Sequence, residues 1–233
     1  AEEKITVNGN VDLYAVVFNR TTETDLTEDQ LPQVDIYKYK QLIFVGDSRT
    51  EFMENVLTGM GESATKNVKF VCSAGKGLDW FTTTGWAQLY SIVQHDSNSI
   101  LSKKTAVIFN FGVNDLSKSA DYAEYYNWIA PQLKSKGCEL YFMSVNPVNR
   151  LMLPNAGRAD RSEAAVRSFN QYMKANLSSA YTYIDMYSYL KSTGYSFASD
   201  HYGTGTVDDG LHYTTRTYKR IFAKCMDSLR VPA

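Results

Sequence analysis

The chain has 233 residues, of which 44% are hydrophobic and 21% charged, with a formal net charge of −1. That length suits one well-buried domain, and a near-neutral chain without a basic stripe excludes the usual kind of nucleic-acid binder. No apolar stretch is long enough to span a bilayer. Cys72, Cys138 and Cys225 are too few and too far apart for a disulfide framework or a zinc site, so buried free thiols are expected. His95, His201 and His212 are too scattered for their spacing to suggest a metal.

Residues 1 to 40 stand apart as an N-terminal extension. ITVNGNVDLYAVVFN alternates like an exposed strand or hairpin with Asn8-Gly9 at its turn, and RTTETDLTEDQLP is polar and loop-like. Ile5 to Val17 resembles the closing strand of the small internalin-type B repeats of bacterial surface proteins. The extension is therefore either an edge strand or arm on the main domain, or the tail of a preceding module. A start at Ala1-Glu2-Glu3-Lys4 without Met, together with the repeat-like strand, leads us to expect a bacterial extracellular or cell-surface protein.

From residue 41 onward, short apolar runs alternate with helical patterns. Strands are expected at Gln41 to Val45, Val68 to Cys72, Ala106 to Phe111, Glu139 to Val145 and Tyr181 to Asp185, all β-branched and aromatic as strands buried on both faces require. Helices are expected at Arg49 to Leu57, Trp80 to His95, Ala120 to Lys136 and Arg158 to Leu177. A last amphipathic segment, Thr214 to Leu229, carries Tyr218, Ile221, Phe222, Cys225 and Leu229 at three- and four-residue spacing. Alternation of this kind predicts an α/β sandwich on a parallel sheet.

Ligands gather at the carboxyl ends of strands in such sheets, so the segments that follow the strands matter most. QLIFVGDSRTEFM, Gln41 to Met53, breaks at Gly46-Asp47-Ser48 into a helix-favouring run. Read locally, Ser48 with Glu51 three residues later is a capping box. CSAGKG (Cys72 to Gly77) allows a tight turn with exposed N–H groups, NFGVNDL (Asn110 to Leu116) offers the Asn114 amide, and DDGLHYT (Asp208 to Thr214) precedes the last helix.

Ester hydrolysis needs a nucleophile, a base, a group that fixes the base, and donors facing the oxyanion. Ser48 supplies a hydroxyl at a helix N-terminus, His212 a base, and Asp209, three residues earlier, a carboxylate able to orient the ring. The N–H groups of Ser48 and Gly75 and the amide of Asn114 are candidate oxyanion donors. His201 and Asp208 are the alternative base and acid; we read them as a substrate-side or structural residue and a solvated neighbour. Asp47 is expected to be structural and Asp115 to cap or orient its loop. Arg49 is expected to pair with a carboxylate such as Asp47 or to face solvent, rather than to bind a substrate anion. Tyr122, Tyr125 and Tyr126 suit core packing, while Tyr195, Tyr202 and Tyr213 could form a platform for a sugar ring or acyl chain. Asn146 to Glu163 reads as a long, specificity-shaping loop with Leu151, Met152 and Leu153 outward.

VGDS, AG, GVND and DGLH, in this order, resemble the four blocks of the SGNH hydrolases, the GDSL-type lipases and esterases. The resemblance runs from residue 41 through the last helix. It departs at Arg49, where the family has Leu or Ile, at Ser73, where it often has Asn, and at Gly77, which comes one residue early. It implies a hydrolase domain over residues 41 to 233: a three-layer, flavodoxin-like sandwich whose five parallel strands lie in the order 2-1-3-4-5 with helices on both faces. It implies a serine esterase without metal or organic cofactor, with Ser48, Asp209 and His212 catalytic and Ser48, Gly75 and Asn114 forming the oxyanion hole. The expected substrate is a small acyl ester or an acylated carbohydrate, with deacetylation of a carbohydrate foremost. O-acyl transfer to a glycan, a non-catalytic surface binding module and an Asp-based phosphohydrolase are the competing readings.

Overall fold

A computed structural model describes residues 26 to 27, 30 to 32, 38 to 96, 104 to 149, 161 to 198 and 210 to 230. The strand or hairpin expected at Ile5 to Val17, residues Leu151 to Leu153, and His201, Tyr202, Asp208 and Asp209 lie outside the described residues.

Five strands, β1 (Tyr39–Gly46), β2 (Val68–Cys72), β3 (Lys104–Asn110), β4 (Cys138–Met143) and β5 (Tyr181–Ile184), form one sheet. All neighbours are parallel and the order is β2-β1-β3-β4-β5, as the alternation and the family resemblance implied. Side chains of a strand alternate between faces, and each face here meets its own apolar layer. Ile43, Val45, Val107, Phe109, Leu140 and Phe142 point to one side. Leu42, Phe44, Ala106, Ile108, Tyr141 and Met143 point to the other.

The first layer is completed by α3 (Leu78–Trp80), which passes through a π-helical turn (Phe81–Gly85) into α4 (Trp86–Asp96), and by α5 (Ser119–Ser135) and α6 (Glu163–Asn176). Leu78, Phe81, Leu89, Tyr122, Tyr126, Val166 and Phe169 are their buried contributions, so Tyr122 and Tyr126 are core residues as expected, with Tyr125 packed against them. The second layer is α1 (Ser48–Thr58), α2 (Glu62–Thr65), α7 (Met186–Thr193) and α8 (Thr215–Arg230). In α8 the anticipated stripe of Tyr218, Ile221, Phe222, Cys225 and Leu229 is buried throughout. Leu31 is buried in this layer, Leu26 packs on it, and Lys219 Nζ donates to the Leu26 carbonyl at 2.7 Å. The three cysteines are free thiols, Cys138 and Cys225 buried as expected and Cys72, at the end of β2, only partly so, and among the described residues no helix is long and apolar enough to cross a membrane.

Several boundaries differ from expectation, and the short helix α2 was not foreseen. β1 and β3 each start two residues early, at Tyr39 and Lys104, and β4 ends two residues early, at Met143. α6 begins at Glu163 rather than Arg158, because Ser162 is its N-cap and accepts the Ala165 N–H at 3.1 Å. α7 was not anticipated; MYSYLKST is too short to display a helical period, and its definition comes from Asp185, which caps Ser188 N–H at 3.0 Å.

β1 has β2 on one side and β3 on the other, so successive crossovers leave in opposite directions and open a crevice at the carboxyl ends of β1 and β3. Gly46 closes β1 at that edge. A Cβ there would overlap the Thr50 side chain and lie 2.9 Å from the Asn110 carbonyl oxygen, so the first turn of α1 can cross the strand end only over glycine.

Candidate active site

The helix that follows β1 is capped by Asp47, whose backbone is extended and whose Oδ1 accepts the Arg49 N–H at 3.0 Å. Ser48 is thus the first helical residue and not the cap, which overturns the capping-box expectation. With Asp47 serving the helix, the Ser48 hydroxyl is left for another partner. That partner is His212, whose Nε2 lies 2.8 Å from Ser48 Oγ although the two residues are 164 positions apart. Both are buried, His212 completely. Phe52, one turn along α1, meets the imidazole edge-on with ring centres 4.8 Å apart. Burial lifts the Asp47 carboxyl from its ordinary 3.8 to about 6, against the lowering effect of the Arg49 charge and N–H.

Arg49 neither faces solvent nor pairs with Asp47. It is 3% exposed, and its guanidinium donates to three carbonyl oxygens: Nε to Leu211 at 3.0 Å, Nη1 to Asn146 and Nη2 to Pro147, both at 2.9 Å. It also lies 5.2 Å from the centre of the Tyr213 ring. The Tyr213 hydroxyl donates to the same Pro147 carbonyl, so Tyr213 is a buried strut and not a substrate platform. Asn149 N–H donates to Gly210 O at 2.8 Å and Ala198 N–H to His212 O at 2.9 Å. Phe197 and Tyr213 form an antiparallel bridge. The backbone is therefore held on both sides of His212, and residues 146 to 149, read from the sequence as the start of an outward loop, are part of that support.

The loops after β2 and β3 are bound to each other. Asn114 Nδ2 donates to Lys76 O at 2.7 Å, and Asn114 Oδ1 accepts from Arg161 Nη2 at 3.0 Å. Asp115 accepts the Leu78 N–H at 2.9 Å and the Tyr122 hydroxyl at 2.8 Å, orienting its loop as expected while also capping the start of α3. Burial raises the Asp115 carboxyl, opposed by those two hydrogen bonds. A Cβ at Gly77 would overlap the Asp115 carboxylate, which accounts for a glycine at this position, one residue early relative to the family pattern. Gly75 has φ +71 and is exposed.

The structure thus brings Ser48 and His212 together and ties the Asn114 loop to the Gly75 loop; Asp209, outside the described residues, is not placed. Two supports escaped the sequence reading. Arg161 lies in a loop with no motif, and Asn170, on α6, clamps both N–H and carbonyl of Val145 at 2.8 Å after β4. Neither carries a local signal, because their partners, backbone atoms and the Asn114 side chain, lie 25 to 48 residues away. Among the described residues no three His, Cys, Asp or Glu side chains gather as metal ligands would.

A doubly wound parallel sheet with a serine–imidazole pair at the carboxyl edge of β1, and an asparagine loop after β3, is the architecture of the SGNH hydrolase superfamily. The chain belongs to the GDSL-like lipase/acylhydrolase family, whose sequence profile matches residues 42 to 225. Its fold is shared by a protein of Bacteroides fragilis NCTC 9343 assigned as an acylhydrolase, with 15% identity, TM-score 0.55, and coverage of 86% of this chain and 92% of the other. A protein of Slackia heliotrinireducens assigned as an SGNH hydrolase has 13% identity and TM-score 0.54, covering 82% and 100%. The acetyl xylan esterase AlAXEase has 11% identity and TM-score 0.53, also covering 82% and 100%. No curated protein matches the sequence.

Two stability measurements follow from the buried charges. Since the Asp47 carboxyl titrates at about 6 in the folded chain against 3.8 ordinarily, the folded state binds more protons between those values, and stability falls as pH rises through that window. Asp47→Asn keeps the cap and abolishes this fall; in urea unfolding from pH 4 to 7 the wild type should lose on the order of 3 kcal/mol relative to the variant. Arg49→Met removes a charged donor from three buried carbonyls, of which Pro147 keeps the Tyr213 hydroxyl, and should lower unfolding free energy by about 3 kcal/mol, measured the same way at pH 7.

Proposed function

We propose that this protein is a serine esterase that removes small acyl groups, acetyl foremost, from a carbohydrate. The 2.8 Å Ser48–His212 hydrogen bond carries this reading. Ser48 Oγ attacks the ester carbonyl carbon as His212 Nε2 takes the hydroxyl proton, and the negative charge on the carbonyl oxygen is met by the N–H groups of Ser48 and Gly75 and by the Asn114 amide. His212 then gives its proton to the departing alcohol, leaving an acyl-enzyme. Water, deprotonated by the same imidazole, releases the acid and restores Ser48. Asp209, three residues before His212, is the carboxylate that orients the ring. One oxyanion donor of this kind is worth about a hundred- to a thousandfold in turnover.

The carbohydrate part of the proposal draws support from a groove of about 850 Å³ between α1 and the start of α8. Neither Ser48 nor His212 lines it, but Phe52, whose ring meets the imidazole edge-on, does. Asn55, Thr214 and Arg216 add hydrogen-bonding groups to the same lining, a mixture suited to a sugar alcohol. Because His212 protonates the leaving oxygen, the alcohol belongs on the histidine side, where this groove lies.

A fluorophosphonate should label the native protein at Ser48, and a folded Ser48→Ala variant should be unlabelled and lose at least about a thousandfold in hydrolysis of a short-chain aryl ester. Absence of labelling in the folded wild type overturns the esterase. Acetate should be released from acetylated xylo-oligosaccharides faster than octanoate from the corresponding octanoyl esters, and the reverse preference overturns the deacetylase.

A further inference from the structure

We propose that Arg161 is the positioning residue of the oxyanion site, holding the Asn114 amide in the one orientation that turns Nδ2 toward the reacting carbonyl. The inference rests on Asn114 being an oxyanion donor. The two ends of an asparagine amide have nearly the same shape, so its partners decide which end points where. At Asn114 the partners are of opposite kinds. The Lys76 carbonyl, 2.7 Å from Nδ2, can only accept, and the Arg161 guanidinium, 3.0 Å from Oδ1, can only donate. Rotating the amide by half a turn would set N–H against guanidinium N–H and oxygen against oxygen. Both contacts would then be lost.

Arg161 is itself fixed. Its Nε donates to Val113 O at 2.8 Å, so two nitrogens of the guanidinium grip two consecutive residues of the loop after β3. Its backbone enters α6 one residue before the Ser162 cap. An arginine fork can span these acceptors, whereas a lysine ammonium offers no such pair of donors in fixed geometry. Lys76 takes one of the two hydrogens on Nδ2; the second is the one offered to the substrate. Arg161 therefore acts through Asn114 and needs no contact with substrate.

A double-mutant cycle on aryl ester hydrolysis tests this, with each variant's fold checked by its urea unfolding. Asn114→Ala should lower kcat about a hundredfold. Arg161→Met should lower kcat about tenfold with KM changed less than about twofold, as expected of a misplaced transition-state donor. In the Asn114→Ala background, Arg161→Met should cost less than about twofold more, since the residue through which it acts is gone. Arg161→Lys, which keeps one donor, should retain more activity than Arg161→Met. If the two single losses multiply in the double variant, or if Arg161→Met folds and turns over as fast as wild type while Asn114→Ala is slow, or if Arg161→Lys is no more active than Arg161→Met, the positioning role is overturned and the oxyanion assignment stands. If Asn114→Ala itself turns over normally, the oxyanion assignment falls and the positioning role with it.

Discussion

Arg49 is a cation sealed from water, and the histidine side of the site is built around satisfying it. A buried charge is tolerated only with hydrogen bonds to spread it over. Arg49 finds them on three carbonyl oxygens from two distant segments, at Asn146 and Pro147 after β4 and at Leu211 beside His212. Because Arg49 is covalently next to Ser48, fastening it to Leu211 also sets the distance between Ser48 and His212. The aromatic face of Tyr213 and its hydroxyl on Pro147 complete the same enclosure. A family position usually filled by an aliphatic residue thus holds a polar clasp here.

The opposite wall follows the same logic with carboxylate and amide groups. Asp115 holds the start of α3, Asn114 holds Lys76, and Arg161 holds Asn114. Apolar packing positions the sheet and its two helical layers and anchors these loops through residues such as Val113 and Leu211, while directional bonds aim their polar side chains. Such an arrangement works against stability locally. Asp47 keeps its carboxyl in a buried place where ionisation is disfavoured, which pushes it up to about 6. The Gly46 edge likewise forgoes a side chain so that α1 can start directly over the strand.

Much of this was legible in the amino-acid order. Short continuous apolar runs identify the strands because both faces of the sheet are buried, and the three- and four-residue stripe on α8 identifies the one face that it buries. The blocks VGDS, GVND and DGLH lie at the predicted chain turns, and two of them meet at Ser48 and His212. What misled was local chemistry with two uses. A serine followed by glutamate is a good cap in isolation, but Asp47 is a residue earlier and takes the free N–H, so the hydroxyl is released. An arginine after a turn is usually solvated, and nothing within a few residues of Arg49 announces that three carbonyls from elsewhere will surround it. Tyr213 looks like a platform by proximity to the histidine, yet its ring faces a guanidinium.

By itself, the sequence determined the layered fold, the strand order through the family resemblance, and which serine, asparagine and histidine were candidates. Those follow from hydrophobic period and from short motifs, which are local properties. The tertiary structure decided which way each polar side chain turns: Ser48 to His212 and not to its own helix, Arg49 inward, Asn114 with its oxygen on Arg161. Orientation of a hydrogen-bonding group depends on its partner, and these partners sit up to 164 residues away. No window along the chain contains them.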